Sequence, residues 1–373
     1  MCAQLPMRSS SRMSRPFPAA LAGALLALLA AGAAIAAEPP PPRPEAVRPY
    51  LGPQHRVEVA KGRRLNLVCM GQGGPTVLFE AGGSDWSAIW ALVQPAVGRG
   101  TTACAYDRAG LGYSDPAAAP RSPIAVVEDL HALVSAAGLA RPLVLVGHSL
   151  GGFDAKLYAT LYPEDIAGLV LLDPAEDRTW DRTRALANAR FGARTAAKAE
   201  LLDQRFLARL VDHFQSCGTA AREAGLDPAS DLYRRCTDPV RPRLGPEIAA
   251  ARVEVQKSAA YQAAQASEFA ASVYADHSGD AAYARLFKPG VLGERPVVVL
   301  THVEEPSDDP LDALDQAQGL ALHRATAALS RRGVHRTVPN SSHNIEIDAP
   351  EVVIAAVQEV VGRVRAKPRG RRR

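Results

Sequence analysis

Ser149 lies in a pattern that is typical of a catalytic serine. It is the centre of VGHSLGG, a Gly-x-Ser-x-Gly pattern directly after the apolar run PLVLVG (142–147) and directly before a helical stretch. A serine on such a strand-to-helix turn is exposed above the sheet, and Gly147 and Gly151 allow the turn to be tight. The N–H of Leu150, at the helix start, points toward negative charge that develops on a substrate. The pattern predicts acyl transfer with Ser149 as nucleophile and Leu150 as an oxyanion donor.

A serine hydroxyl is a weak nucleophile at neutral pH and needs a neighbouring base. His343, in PNSSHNIEID, follows the last predicted strand and lies on a loop where it can lean over the site. His335 falls within that strand and His323 within a helix, so both are expected to be structural. We therefore predict His343 as the general base.

A carboxylate must orient the histidine, and two parts of the chain offer one. Asp173 ends the strand GLVLLD, at a buried terminus that faces the crevice where ligands bind. A second group of acids follows the strand PVVVLT (296–301) in a proline-interrupted loop: Glu304, Glu305, Asp308 and Asp309. The sequence favours Asp173 and leaves the second group open.

A second oxyanion donor is expected after the strand PTVLFEA (75–81). Gly82 and Gly83 follow it and let the backbone approach a substrate without side-chain obstruction. We predict the N–H of Gly83 as this donor.

The elements that must position these residues alternate between short β-rich runs and helical stretches, which predicts an α/β fold with a mostly parallel sheet flanked by helices. Residues 50–174 and 291–366 are expected to form this core. Residues 175–290 contain no comparable strand, are rich in Ala, Arg and Glu, and are interpreted as a helical cap inserted into the core. The final helix is expected at 350–366, with Asp348 as its N-cap.

The two ends of the chain have their own character. Residues 1–36 combine three arginines with an apolar run and a small-residue site, Ala34-Ile35-Ala36, which predicts a bacterial-type signal peptide and export to the periplasm or medium. An uncleaved membrane anchor is the alternative. Residues 37–49 are expected to form a proline-rich spacer, and 367–373 a basic tail.

The formal net charge of +4 is misleading until the charges are located. The arginines of 1–36 and the seven basic residues of 361–373 contribute +10, which leaves −6 for residues 37–360. A mildly acidic body and 5% aromatic residues argue against a nucleic-acid partner. No stable protein partner is inferred, and membrane contact is expected only if the N-terminal segment is uncleaved.

The cysteines show no metal-binding spacing, so neither a metal nor a cofactor is expected. Cys2 leaves with the signal peptide. Four cysteines then remain in an oxidising compartment, and their spacing allows three disulfide connectivities: Cys69, Cys104, Cys217 and Cys236.

The motifs FEAGGSD, YDRAGLGYSDP, VGHSLGG, VLLDP and SSHNIEIDAPE, in this order, resemble those of the α/β-hydrolase superfamily of cap-bearing serine hydrolases. The resemblance implies an eight-stranded, mostly parallel sheet, a Ser–acid–His triad and a lid. It also implies that Asp107 and Arg108 organise loops near the site. Ala81-Gly82 stands where the family commonly has His-Gly, so Gly83 is assigned by position.

Two more expectations rest on this resemblance. Some family members carry the acid after the strand that precedes the cap, where Asp173 lies. The family's strand order places 64–70 beside 101–107, which pairs Cys69 with Cys104 and leaves Cys217 for Cys236.

The expected activity is hydrolysis of a carboxylic ester of a small molecule through an acyl-enzyme, without a cofactor. A peptidase similar to the prolyl aminopeptidases is the enzymatic alternative. A non-catalytic binding or receptor protein on a hydrolase scaffold is the other.

Overall fold

The computed structural model describes residues 47–118, 120–303 and 307–366. The strands are β1 (His55–Ala60), β2 (Arg63–Met70), β3 (Val77–Glu80), β4 (Ala103–Tyr106), β5 (Leu143–His148), β6 (Ile166–Leu172), β7 (Val297–Val303) and β8 (Gly333–Pro339). They form one sheet in the order β1-β2-β4-β3-β5-β6-β7-β8. The β1–β2 and β2–β4 pairs are antiparallel, and the other neighbours are parallel. The predicted eight-stranded, mostly parallel sheet is confirmed.

Helices connect most of these strands. They are α1 (Gln94–Gly98), α2 (Pro123–Ala136), α3 (Ser149–Leu161), α4 (Thr179–Phe191), α5 (Ala193–Glu223), α6 (Asp231–Cys236), α7 (Pro246–Gln256), α8 (Ala259–Ala270), α9 (Asp280–Leu286), α10 (Pro310–Ala327), α11 (Ile345–Asp348) and α12 (Pro350–Ala366). Helices α4 to α9 all lie between β6 and β7, a stretch that the structure describes throughout and that contains no strand. We call these six helices the helical insertion.

The central strand β5 is buried on both faces, as its continuous apolar run predicts. Val144 and Val146 belong to a core cluster that includes Val357 and Val360 of α12. Their neighbours along the strand point to the opposite face and are also fully buried. The carboxyl end of β5 is therefore held at the centre of the fold.

Two disulfides link the pairs that the resemblance led us to expect. Cys69 on β2 lies opposite Cys104 on β4 in the antiparallel register, with their Cα atoms 4.1 Å apart. Cys217 on α5 is bonded to Cys236 on α6, with a Cα separation of 5.5 Å. The first bridge joins the antiparallel edge of the sheet to its parallel part, and the second lies within the helical insertion.

The predicted N-cap of the final helix is wrong. Asp348 ends α11 instead, and its Oδ2 accepts a hydrogen bond from the backbone N–H of Ser342 at 2.8 Å. The extra turn of helix before Pro350 directs the carboxylate back over the preceding loop, so it satisfies an N–H of that loop rather than one of α12.

The predicted signal segment 1–36 and the basic tail 367–373 lie outside the described residues, as does most of the spacer 37–49. In the part of the chain that the structure describes, no helix is both long enough and apolar enough to cross a membrane.

Candidate active site

Ser149 occupies a strained turn at the centre of the sheet. β5 ends at His148 and α3 begins at Ser149, with no residue between them. The φ of Ser149 is 52°, in the left-handed region that residues other than glycine rarely adopt. Such strain persists where the surrounding structure enforces it, typically at functional sites. A turn of this kind exposes a serine hydroxyl beyond the carboxyl end of the strand.

Close backbone approaches enforce the turn. A Cβ atom on Gly147 would lie 2.4 Å from the carbonyl oxygen of Gly151. A Cβ on Gly151 would lie 2.2 Å from the carbonyl oxygen of Ala81 and 2.6 Å from that of Glu80. Because these are backbone atoms of the adjacent strand and helix, they cannot move aside as a flexible side chain can. The turn at Ser149 is therefore packed directly against the end of β3.

Asp173 and His343 face each other at the same edge of the sheet. Asp173 directly follows β6, and its Oδ2 lies 3.4 Å from Nδ1 of His343, which sits on the loop between β8 and α11. The Asp173 N–H donates to the carbonyl oxygen of Leu300 at 2.8 Å, so β7 holds its backbone. The structure thus brings together the favoured acid and the predicted base.

The protonation states of this pair suit a base and its orienting acid. Burial alone would raise the pKa of Asp173, but interactions with His302 and His343 lower it well below its ordinary value. Burial lowers the pKa of His343 below its ordinary value, although Asp173 acts in the opposite direction. At neutral pH the carboxylate is ionised and the imidazole neutral. The buried Nε2 of His343 has no hydrogen-bond partner among the described residues and can accept a proton.

His302, near the end of β7, is a contact of Asp173 that our sequence reasoning did not single out. Its backbone N–H donates to Asp173 Oδ1 at 3.1 Å, and its Nδ1 contacts Asp173 Oδ2. Its position directly after the apolar run PVVVLT could have indicated this contact. The carboxyl ends of parallel strands meet at one edge of the sheet, so a residue there lies near Asp173. His302 therefore helps to hold the carboxylate, and its Nδ1 faces the same oxygen, Oδ2, as Nδ1 of His343.

The acids that follow β7, which are the alternatives to Asp173, are not seen to contact His343 where the structure describes them. Asp308 and Asp309 are both exposed, and Asp309 Oδ1 accepts the N–H of Leu311 at 2.8 Å as the N-cap of α10. Glu304 and Glu305 lie outside the described residues. Among the described candidates, Asp173 is the one whose carboxylate reaches the His343 ring.

Two buried residues, His148 and Glu346, hold the loop that carries His343. Nε2 of His148 donates to the carbonyl oxygen of His343 at 2.9 Å, and the two rings lie 4.6 Å apart. Nδ1 of His148 lies 3.4 Å from Oε1 of Glu346 on α11. Burial raises the pKa of Glu346 to about 8, so this carboxyl group is mostly neutral at pH 7. The residue before the serine thus helps to position the base.

The turn after β3 lies beside the start of α3, as an oxyanion hole requires. A Cβ on Gly83 would lie 2.9 Å from Cδ1 of Leu150, and one on Gly82 would lie 3.4 Å from Cβ of Ser149. Asp107 accepts the backbone N–H of Ser87 at 3.0 Å, which ties the next loop to this turn. The predicted donors Gly83 and Leu150 are therefore neighbours, and Asp107 organises a loop as the resemblance implied.

Two groups of described side chains have donor atoms close enough for a metal ion. The atoms of Asp173, His302 and His343 lie within 4.8 Å of one another, as do those of His213, Cys217 and Cys236. In the second group both sulfurs belong to a disulfide, and the thiolate is the form that binds metals. In the first group the histidine nitrogens face the Asp173 carboxylate as hydrogen-bonding partners. Neither donor set requires a metal to explain its geometry.

Comparison with protein families identifies the fold from the sequence. A family model described as the alpha/beta hydrolase fold matches residues 75–334. The chain is 38% identical over 126 residues to lipase LipV of Mycobacterium tuberculosis, which is 34% of this chain and 47% of that protein. It is 37% identical over 105 residues to the uncharacterized protein YqjL of Bacillus subtilis, which is 28% of this chain and 42% of that protein. The chain spans less than half the length of the curated relatives it matches.

Solved structures give the same fold. A meta-cleavage product hydrolase from Pseudomonas fluorescens aligns with a TM-score of 0.55 and 20% identity, over 83% of this chain and 98% of that one. A thermophilic esterase from Thermogutta terrifontis aligns with a TM-score of 0.50 and 18% identity, over 81% and 94% of the two chains. At these identities the likeness concerns the fold.

The packing at Gly151 predicts an unusual response to alanine. We expect G151A to destabilise the protein by about 1–3 kcal/mol, because the new methyl group meets two backbone carbonyls of β3 and its following turn. G319A, at a glycine inside α10 with open space around its Cα, is the matched control and should be neutral or stabilising. Urea unfolding of both variants measures this difference. Equal stability of the two variants would contradict the packing described here.

Proposed function

Because the chain belongs to the alpha/beta hydrolase fold family, we propose that it is an exported serine hydrolase that cleaves a carboxylic ester, or a related acyl bond, of a small molecule. The observation that carries the proposal is the position of His343 beside Asp173, with Oδ2 and Nδ1 3.4 Å apart. This pairing orients the imidazole so that its other nitrogen serves as a base for Ser149.

In the first step, Nε2 of His343 accepts the hydroxyl proton of Ser149 while Oγ attacks the substrate carbonyl carbon. Asp173, which remains ionised, stabilises the imidazolium that forms. The N–H groups of Gly83 and Leu150 donate to the oxyanion of the tetrahedral intermediate. The intermediate collapses when His343 returns its proton to the leaving alkoxide, which leaves an acyl group on Ser149.

In the second step, His343 removes a proton from water as the water attacks the acyl-enzyme. The same two N–H groups stabilise the second oxyanion, and the carboxylic acid departs as Ser149 regains its proton. Apart from the substrate and one water molecule, both steps use only side chains and backbone groups of this chain, so the proposed reaction balances without a cofactor.

Export and a lid complete the proposal. The two disulfides support an oxidising compartment, and the basic, then apolar character of residues 1–36 supports a signal peptide. The helical insertion contacts the turn after β3: a Cβ on Gly83 would lie 3.1 Å from Cζ of Phe269. We infer that the insertion is the cap over the acyl site.

One contact favours an ester over a peptide with a free amino terminus. Glu268 of the insertion lies against the turn after β3, but Arg108 and Arg121 pair with its carboxylate at 2.7 and 2.8 Å. A carboxylate neutralised in this way offers little attraction to a substrate ammonium group.

Replacing the nucleophile tests the proposal. We expect S149A to lose activity toward p-nitrophenyl esters by at least about 10⁴-fold, because the acyl-enzyme cannot form. S216A, at an exposed serine of α5, is the control and should keep wild-type rates. A panel of esters and aminoacyl amides measures both the loss and the preferred bond. Ester hydrolysis that persists in S149A would exclude this serine as nucleophile, and a preference for amides would favour the peptidase.

The pH dependence tests the base. His343 must be neutral to act, and burial lowers its pKa, so kcat/KM should stay constant above the ordinary imidazole pKa and decrease only in more acidic solution. The midpoint of the acid limb is expected below 6.5, the ordinary pKa of a histidine side chain. Initial rates in buffers of constant ionic strength measure it. A midpoint at or above that value would contradict the assigned environment of His343.

A further inference from the structure

The direction of the Gly83 N–H depends on the peptide groups that flank this residue. A trans peptide is planar, and its C=O and N–H point in opposite directions. The N–H of Gly83 therefore moves with the carbonyl of Gly82, and the carbonyl of Gly83 moves with the N–H of Ser84. The groups that bind the carbonyl oxygen of Gly82 and the N–H of Ser84 therefore set the orientation of the Gly83 N–H, the proposed oxyanion donor.

Arg108 binds the carbonyl oxygen of Gly82. Its Nη2 donates to the carbonyl oxygen of Gly82 at 2.6 Å, and its Nη1 contacts the carbonyl oxygen of Ala81. The same guanidinium donates to Oε1 of Glu80 at 2.8 Å, which is the last residue of β3. Arg108 is 2% exposed, so water does not compete for these hydrogen bonds.

Glu268, on α8 of the helical insertion, binds the N–H of Ser84. Its Oε2 accepts the backbone N–H of Ser84 at 2.8 Å. The φ of Ser84 is 65°, so this turn adopts a conformation that an L-residue resists unless its surroundings enforce it. Glu268 is itself fixed by Arg108, through hydrogen bonds of 2.7 and 3.1 Å, and by Arg121 at 2.8 Å.

We propose that Glu268 is a positioning residue for the oxyanion hole: with Arg108 it fixes the peptide groups on both sides of Gly83, so the helical insertion helps to assemble the catalytic site. The inference deepens the proposed function and rests on it. It assigns the insertion a role in the rate of the chemical step, in addition to any role in choosing substrates.

The charges of the cluster support this role. Glu268 is 3% exposed, and the two arginines lower its pKa to about 2 against the opposing effect of burial, so it is ionised at the Ser84 N–H. Hydrogen bonds to a charged acceptor are stronger than those between neutral groups. An amide in its place keeps one acceptor oxygen but no charge, and cannot hold both arginines and the Ser84 N–H.

The experiment compares E268Q with E254Q. Glu254 lies on α7 of the same insertion and is 69% exposed, so its loss controls for removal of a glutamate charge. We expect E268Q to lower kcat for a p-nitrophenyl ester by about tenfold or more, with a smaller change in KM, since outright loss of an oxyanion donor costs about 10²–10³ in kcat. E254Q should match the wild type.

A trifluoromethyl ketone gives a readout that a merely structural role would not move. It adds to a catalytic serine as a hemiketal whose oxyanion occupies the hole, so its affinity should fall in E268Q by a factor close to the loss in kcat. Wild-type kcat and wild-type ketone affinity in E268Q would overturn the inference alone. A wild-type enzyme that neither hydrolyses esters nor binds the ketone would overturn the proposed function and this inference with it.

If E268Q does not fold, the variant E268D tests the positioning role of Glu268 instead. The shorter side chain keeps the negative charge beside Arg108 and Arg121, but it withdraws the carboxylate from the Ser84 N–H and from Arg108 Nη2, which share Oε2. We expect E268D to unfold near the wild-type temperature and still to lose kcat. A folded E268D with wild-type kcat would contradict the proposed role.

Discussion

β5 turns into α3 without an intervening residue, and this constraint determines what can stand around Ser149. The serine adopts a left-handed φ of 52°, and the glycines on either side allow backbone to touch backbone. Because a Cβ on Gly151 would lie 2.2 Å from the carbonyl oxygen of Ala81, the end of β3 is pressed against the turn. The segment after β3 is thereby brought beside the N-terminus of α3, where Gly83 and Leu150 become neighbours.

A second set of contacts is anchored to the same edge of the sheet. Asp173 follows β6, His302 is the second-last residue of β7, and His343 lies on the loop after β8. Consecutive parallel strands therefore supply one side chain each. Parallel pairing makes this convergence a property of the topology, since all three carboxyl ends meet at one edge. The helical insertion then adds Glu268 to the opposite side of the site, against the turn after β3.

Local sequence pattern was sufficient for the parts of this arrangement that depend on neighbours in the chain. The apolar run before Ser149 and the glycines around it specify the strand, the turn and the helix start. Pairs separated by many residues needed the fold: the Cys69–Cys104 bridge was inferred from the family's strand order and agrees with the register of β2 and β4. Pattern could not choose between Asp173 and the later acids, because that choice depends on the distance to His343.

Contacts that cross from the insertion to the core were missed for the same reason. Glu268 and Ser84 are separated by 184 residues. The buried face of α8 includes Gln262, Gln265 and Glu268, and a hydrophobic pattern assigns such polar residues to the surface. Asp348 shows the converse error: an aspartate before Ala-Pro is a good N-cap by pattern, but an additional helical turn gave its carboxylate to Ser342. In both cases a backbone N–H is bound by a carboxylate that only the folded chain brings near.

The central claim is that Ser149 is a nucleophile activated by His343. The most direct measurement is treatment of the folded protein with a fluorophosphonate, followed by peptide mapping with mass spectrometry. The account predicts a stoichiometric phosphonyl adduct on the peptide that contains Ser149, located on that serine, with loss of ester hydrolysis in parallel. An unlabelled Ser149 in protein that hydrolyses esters, or an adduct on another residue that accounts for the lost activity, would contradict it.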